Sequence, residues 1–167
     1  MGTPEAGKLF LQALTGSGLG SPDLIEDSMF DTVALQTITD IRAYEGRLTC
    51  IIPVEPRVQN RYGTLHGGCI ATLVDVVGSA ALVTVSERSG VSLNISVDYL
   101  RPGQAGEEVL VDAKVVKVGG LIATINVDLK SVKTGQLVAQ GKHIKFLSTK
   151  DKGIPKAASA DVMRSKL

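Results

Sequence analysis

Residues 67–86 read GGCIATLVDVVGSAALVTVS, and Asp75 is the one charged side chain in this stretch. Apolar residues recur on nearly every side at helical spacing, which predicts a helix buried over most of its surface. A carboxylate there requires a partner or a chemical role, because desolvating an unpaired charge is costly. Gly67 and Gly68 leave backbone N–H groups uncovered at the positive end of the helix dipole. A helix start that stabilises an anion, followed two turns later by a buried acid, is the outline of an acyl-transfer site.

The residues around this helix predict an antiparallel sheet. Residues 33–54 have the pattern of a hairpin that turns near Glu45-Gly46. After the helix, apolar and polar residues alternate with a period of two, and Gly119-Gly120 is typical of a tight primed turn. The strands predicted in this second half are 91–99, 109–115, 121–130 and 136–148. The fold class is therefore α+β, with a curved antiparallel sheet around one long central helix.

The two ends of the chain are predicted to lie outside this core. Residues 1–32 form an N-terminal extension with short helices at 4–15 and 22–30, residues 33–148 form the main domain, and residues 149–167 form a flexible tail. The chain stops at Ser165-Lys166-Leu167, the tripeptide read by the peroxisomal import receptor. We therefore expect a peroxisomal protein.

Composition excludes several kinds of function. The net charge is +1, so no strong field attracts nucleic acid or an anionic membrane. With two cysteines and two histidines there is no Cys/His cluster at metal-ligand spacing, and we expect no metal and no bound cofactor. No uncharged apolar stretch is long enough to span a membrane, and no secretory signal is evident, so a soluble intracellular protein is expected.

The segment NRYGTLHGG at 60–68, leading into ATLVD at 71–75, resembles the hotdog-fold acyl-CoA thioesterases. The resemblance extends from about residue 33 to residue 147 and is greatest to the phenylacetate-degradation type, including its small eukaryotic members. It implies hydrolysis of acyl-CoA to a free carboxylic acid and coenzyme A. Residues 90–92, 99–102 and 134–143 also look like this branch.

The resemblance implies specific roles for five residues. The Gly67 N–H would polarise the thioester carbonyl, and Asp75 would be the general base or the nucleophile. Asn60 would orient the carbonyl or the water, His66 would line the pocket, and Ser92 would help to place the water. Backbone donors at a helix start suit the charge that develops on the carbonyl oxygen, and a thioester needs no serine triad.

Coenzyme A is expected to contact a second group of residues. Gly120 stands where relatives often have a lysine, so another cation is expected to compensate, either Arg101 or Lys117 together with Lys145. The full set implied by the resemblance is Arg57, Tyr99, Arg101, Lys117, Gly119, Gly120 and Lys145.

The spacing of Gly67 and Asp75 predicts a homodimer. Eight residues of helix separate them by ~12 Å, which is too far for both to act on one carbonyl group. Antiparallel helices from two protomers bring Gly67 of one beside Asp75 of the other. We therefore expect two composite sites per dimer, as in the family, in a dimer or in a tetramer made of two dimers.

Other interpretations of these residues stay open. Asp75 can be a structural acid, His66 a helix cap, Asn60 a turn residue, and Ser92 a partner of the backbone only. At the level of function the alternatives are a hotdog enoyl-CoA hydratase and a non-catalytic acyl-CoA-binding protein. The hydratase requires an Asp–His pair about five residues apart in a loop, which Asp75 and His66 do not supply.

Overall fold

The structure, a computed structural model, describes residues 2–15, 30–88 and 90–148. The helices are α1 (Pro4–Thr15), α2 (Phe30–Leu35) and α3 (Gly67–Val83), with a short 3-10 helix at Pro56–Val58. The strands are β1 (Thr39–Tyr44), β2 (Arg47–Pro53), β3 (Gly90–Tyr99), β4 (Glu108–Val118), β5 (Ile122–Ser131) and β6 (Leu137–Leu147). No helix among these residues is long and apolar enough to cross a membrane.

All six strands form one sheet in the order β1-β2-β4-β5-β6-β3, and every neighbouring pair is antiparallel. Helix α3 packs on the inner face of this sheet. Leu73, Val74 and Val77 of the helix are fully buried, and so are the inward side chains of β5 such as Ile125. Each such apolar side chain contributes about 1.5–3 kcal/mol by leaving water. The predicted α+β hotdog architecture is confirmed.

The close fit of helix and sheet depends on one glycine. A Cβ on Gly141 of β6 would overlap the methyl groups of Val74, whose Cγ1 would lie 2.7 Å away. A side chain at this position would therefore push α3 away from the sheet.

The structure confirms the helix at Pro4–Thr15 and the turn at Glu45-Gly46, but it corrects other boundaries. The first strand begins at Thr39 and not at residue 33, because residues 33–35 belong to α2. Residues 22–29 of the predicted second helix and the tail 149–167 lie outside the described residues.

The prediction of a primed turn at Gly119-Gly120 is wrong. Neither glycine has the positive φ that such a turn requires, whereas Gly46, Gly63, Gly106 and Gly135 do. The β4–β5 connection has three residues, 119–121, and the Gly119 N–H donates to the Ile122 carbonyl at 2.8 Å. A loop of this length reverses the chain without a primed pair.

Candidate active site

The start of α3 presents backbone donors. His66 is the N-cap residue, and its Nδ1 accepts the Gly68 N–H at 2.8 Å. The Gly67 N–H makes no hydrogen bond with any described residue, so it is available to an incoming oxygen. The Tyr99 hydroxyl donates to the Gly67 carbonyl at 3.1 Å, and its ring lies against this glycine. His66 thus serves as the cap and leaves the neighbouring donor unpaired.

Asn60 shapes the loop that leads into this helix. Its Oδ1 accepts the backbone N–H of Tyr62 at 2.9 Å and that of Thr64 at 3.3 Å, and its Nδ2 donates to the Thr64 hydroxyl at 2.9 Å. These are the contacts of an Asx turn, in which the side chain replaces a backbone partner. The second Nδ2 hydrogen makes no hydrogen bond with any described residue, and the contact of Asn60 with substrate stays a prediction.

Two turns along α3, Asp75 meets residues of two strands. The Ser92 hydroxyl donates to Asp75 Oδ1 at 3.1 Å, and Nε2 of His143 lies 3.4 Å from the same oxygen. The imidazole and the Ser92 hydroxyl are 2.9 Å apart. The His143 side chain is fully buried, whereas the Asp75 side chain is 43% exposed in the protomer. The prediction of a buried acid is therefore wrong for the single chain, because no described residue covers the open side of the carboxylate.

A β-bulge aims Ser92 at this acid. The register of β3 against β6 shifts between Ser92 and Asn94. His143 and Lys145 occupy inward positions of β6. Ile95 pairs with His143 and Ser92 pairs with Lys145, so all four side chains face the helix. The predicted period of two through residues 91–99 is thus broken at Leu93, and Ser92 leaves the polar outer face. Bulges of this kind often redirect side chains at functional sites.

Lys145 lies beside the acid, inside the protein. Its side chain is 7% exposed, and its Nζ donates to the Ser79 hydroxyl at 2.8 Å. Burial lowers the pKa of Lys145, and the negative charge of Asp75 opposes this shift. Lys145 was predicted to bind coenzyme A, but it belongs to the cluster around Asp75 and faces away from the outer surface of the sheet.

The other predicted coenzyme A residues lie at two places. Lys117 and Gly120 are exposed at the tip of the β4–β5 hairpin, where the Arg88 guanidinium donates to the carbonyls of Gly119 and Gly120. Arg101 follows β3, and its Nε and Nη2 are buried without a hydrogen-bond partner among the described residues. Arg57 is exposed in the 3-10 helix, close in sequence to the Asn60 loop.

The cysteines offer no alternative chemistry. Burial raises the pKa of Cys50 to about 12 and that of Cys69 to about 11, so both thiols stay protonated. Within residues 2–15, 30–88 and 90–148, no group of His, Cys, Asp and Glu side chains is arranged to hold a metal ion.

His143 is the residue that the sequence prediction missed. On β6 the inward positions alternate from Ala139 to Leu147, which places His143 and Lys145 among buried residues. The alternation of β6 could have predicted that these two polar side chains face the helix that carries the lone acid. The contact with Ser92, however, depends on a register shift that the sequence does not reveal.

An antiparallel sheet wrapped around one helix, with an open donor at the helix start and an acid two turns on, defines the hotdog thioesterase class. Comparison with known proteins agrees, because the family model for the thioesterase superfamily matches residues 62–138. The chain is 40% identical over 119 residues to mouse acyl-coenzyme A thioesterase 13, covering 71% of this chain and 84% of that relative. The chain belongs to the thioesterase superfamily.

Solved structures give the same result. The crystal structure of zebrafish thioesterase superfamily member 2 superposes with a TM-score of 0.75 at 34% identity, covering 87% of this chain and 99% of that one. A Streptococcus mutans protein bound to acetyl-CoA superposes with a TM-score of 0.61 at 27% identity, covering 65% of this chain and 87% of that one. The fold and the family therefore agree with the resemblance carried by residues 60–75.

Proposed function

We propose that this protein is an acyl-CoA thioesterase, which hydrolyses acyl-CoA to a free carboxylic acid and coenzyme A. The observation that carries the proposal is α3, which has an unpaired Gly67 N–H at its start and Asp75 held by Ser92 further along. A relative that is 40% identical is named an acyl-coenzyme A thioesterase. The S. mutans relative has bound acetyl-CoA, which supports the choice of substrate class.

The chemistry requires a donor for the thioester oxygen and an acceptor for the proton of water. As water attacks, negative charge develops on the carbonyl oxygen, and the Gly67 N–H with the helix dipole stabilises it. Asp75 accepts the proton from water as the tetrahedral intermediate forms. The C–S bond then breaks, and the leaving thiolate takes up that proton to become the coenzyme A thiol. Asp75 Oδ2 makes no hydrogen bond with any described residue of the protomer, so this oxygen is free for water.

The two halves of this machinery require two protomers. Gly67 and Asp75 lie eight residues apart on one straight helix, so ~12 Å separates them along its axis. Strand β3 is at the edge of the sheet, and Val91 and Leu93 on it are 65% and 57% exposed. An open apolar edge of this kind favours pairing with a second copy. We infer a homodimer, or a tetramer of two dimers, in which α3 helices run antiparallel and complete two sites.

The nucleotide of coenzyme A requires cations near the mouth of the site. Lys117, on the exposed hairpin tip, supplies one, and Arg88 holds the backbone of Gly119 and Gly120 in place there. Arg101, past the opposite end of β3 from this hairpin, is the second candidate, because its buried guanidinium nitrogens lack partners among the described residues. Tyr99 and Arg57 remain candidate contacts on the way to the helix start.

The cellular site of the reaction is a separate proposal. Ser165-Lys166-Leu167 at the end of the sequence supports recognition by the peroxisomal import receptor. An acyl-CoA thioesterase imported in this way would act in peroxisomal fatty acid metabolism.

The activity is tested by the release of free thiol from a panel of aliphatic and aryl acyl-CoA substrates. We expect turnover by the wild type and a loss of at least ~100-fold in kcat for Asp75→Asn. Asp98→Asn is the matched control, and this variant should keep the wild-type rate. Asp98 is an exposed acid of β3 that pairs with Gln140 on the outer face of the sheet. Wild-type turnover by Asp75→Asn would overturn the role of this acid. Stoichiometric binding without thiol release would instead indicate a binding protein.

A further inference from the structure

We propose that His143 is a positioning residue, which fixes the Ser92 hydroxyl so that its proton points at Asp75. This inference rests on the proposed role of Asp75. The three groups lie within hydrogen-bonding reach of one another, with 2.9 Å between His143 Nε2 and Ser92 Oγ and 3.1 Å between Ser92 Oγ and Asp75 Oδ1. His143 and Ser92 come from adjacent strands, β6 and β3, while Asp75 comes from the helix packed on them.

Counting protons decides how this group is arranged. A serine hydroxyl has one proton to donate, whereas an ionised carboxylate can only accept. If Ser92 gave its proton to the imidazole, two oxygens without a proton between them would face each other at the 3.1 Å contact with Asp75. The stable arrangement is the opposite one, in which His143 Nε2–H donates to Ser92 and Ser92 donates to Asp75. The histidine tautomer is assigned here from this network.

The other ring nitrogen agrees with this tautomer. His143 Nδ1 is buried and has no hydrogen-bond partner among the described residues. A bare nitrogen acceptor tolerates this better than an N–H donor, because buried unpaired N–H groups are the rarer and costlier case. Nδ1 also lies 3.2 Å from where a Cβ on Gly78 would be, so the glycine leaves space for the ring against α3.

The surroundings keep the imidazole uncharged. Burial and the positive charge of Lys145 lower the pKa of His143 to about 4, and the negative charge of Asp75 opposes them. Lys145 and Asp75 are the charged groups that face the ring, one from β6 and one from α3, while Ser92 faces it from β3. A neutral ring has one N–H, and it is the one that points at Ser92.

The consequence for the reaction is that the two oxygens of the Asp75 carboxylate have different hydrogen-bond partners. Oδ1 is held by Ser92, and Oδ2 makes no hydrogen bond within the described part of the protomer. Fixing the first oxygen fixes the plane of the carboxylate and so the direction in which the second one meets water. Because the proposal has His143 act through Ser92 and not through its own 3.4 Å contact with Asp75 Oδ1, its removal should matter only while the hydroxyl is present.

A double-mutant cycle tests this directly. His143→Leu removes the donor, and we expect it to lower kcat about tenfold with little change in KM, the loss associated with one oriented hydrogen bond. In the Ser92→Ala background the same substitution should cause no further loss of kcat. An equal loss in both backgrounds would overturn the proposal, since it would show that His143 acts independently of the hydroxyl.

His143→Gln separates the loss of the donor from a folding defect, because glutamine keeps an N–H donor that can reach Ser92. We expect it to retain most of the wild-type kcat, and a loss as large as that of His143→Leu at an unchanged melting temperature would also overturn the proposal. Asp75→Asn is measured alongside. If it retains the wild-type rate, the proposed function of the acid has failed. If it is inactive while the cycle is additive, only the role of His143 has failed.

Discussion

The proposed requirement for two protomers can be tested by mixing two chains that are each expected to be inactive. One chain carries Asp75→Asn, and the other carries Gly67→Pro, which removes the backbone N–H proposed to hold the thioester oxygen. Proline is tolerated at the first position of a helix. His66, with φ −65° and ψ 132°, already has the extended backbone that a residue before proline prefers. A Cβ at position 67 would lie 3.4 Å from the Tyr99 ring, which is an ordinary contact. The substitution should therefore remove the donor and keep the helix.

The expected magnitude follows from the geometry of the helix. Each variant alone should lose ~100-fold or more in kcat, because each lacks one half of every site. A mixed dimer has one site with both defects and one with neither. If the chains pair at random in equal amounts, half of the dimers are mixed, and the rate should return to about a quarter of that of the wild type.

The assay is thiol release from one acyl-CoA after coexpression of the two chains with different affinity tags. Dimers purified through both tags in succession contain only mixed pairs, and their rate should reach about half of the wild-type rate. Melting temperatures of both parents establish that they are folded. If the doubly purified dimer is no more active than its parents, both groups serve a site within one protomer, and the argument from the ~12 Å separation is wrong.

Three further predictions concern stability and location. Gly141→Ala should lower the free energy of unfolding by about 1–3 kcal/mol, because the new methyl group overlaps Val74. Denaturant titration measures this change, and an unchanged unfolding midpoint would contradict the close packing of α3 on β6. Burial opposes ionisation of Asp112, but hydrogen bonds from two cations, Arg47 foremost, lower the pKa of Asp112 below 3.8. The stability that these contacts provide should be present above pH 3.8 and be lost as the pH falls through the lowered pKa. The difference between wild type and Asp112→Asn should therefore shrink in acid, and a difference that does not depend on pH would exclude this ion pair as its source. Deletion of residues 165–167 should leave kcat unchanged and leave the protein in the cytosol by fluorescence microscopy, and continued import would refute the targeting signal.

Local sequence was enough to predict the central helix and its acid. The apolar run from Gly67 onward has a helical period that needs no information from other parts of the chain, and a lone charge within it is conspicuous. The same holds for the antiparallel strands, whose alternation reflects one face against α3 and one face outward. The resemblance of residues 60–75 then pointed to the thioesterases, and the family match agrees.

The tertiary structure decided which side chains meet the acid. Ser92 faces Asp75 only because β3 has a bulge at Leu93, and an alternating pattern read from sequence assumes that no such shift occurs. His143 reaches the same point because β3 and β6 are neighbours, although 51 residues separate it from Ser92. Strand order and register are long-range properties, set by the packing of the whole sheet on α3. The sequence therefore determined the acid and the helix that carries it, and the resemblance named Ser92. The fold alone showed that Ser92 contacts Asp75 and that His143 reaches Ser92.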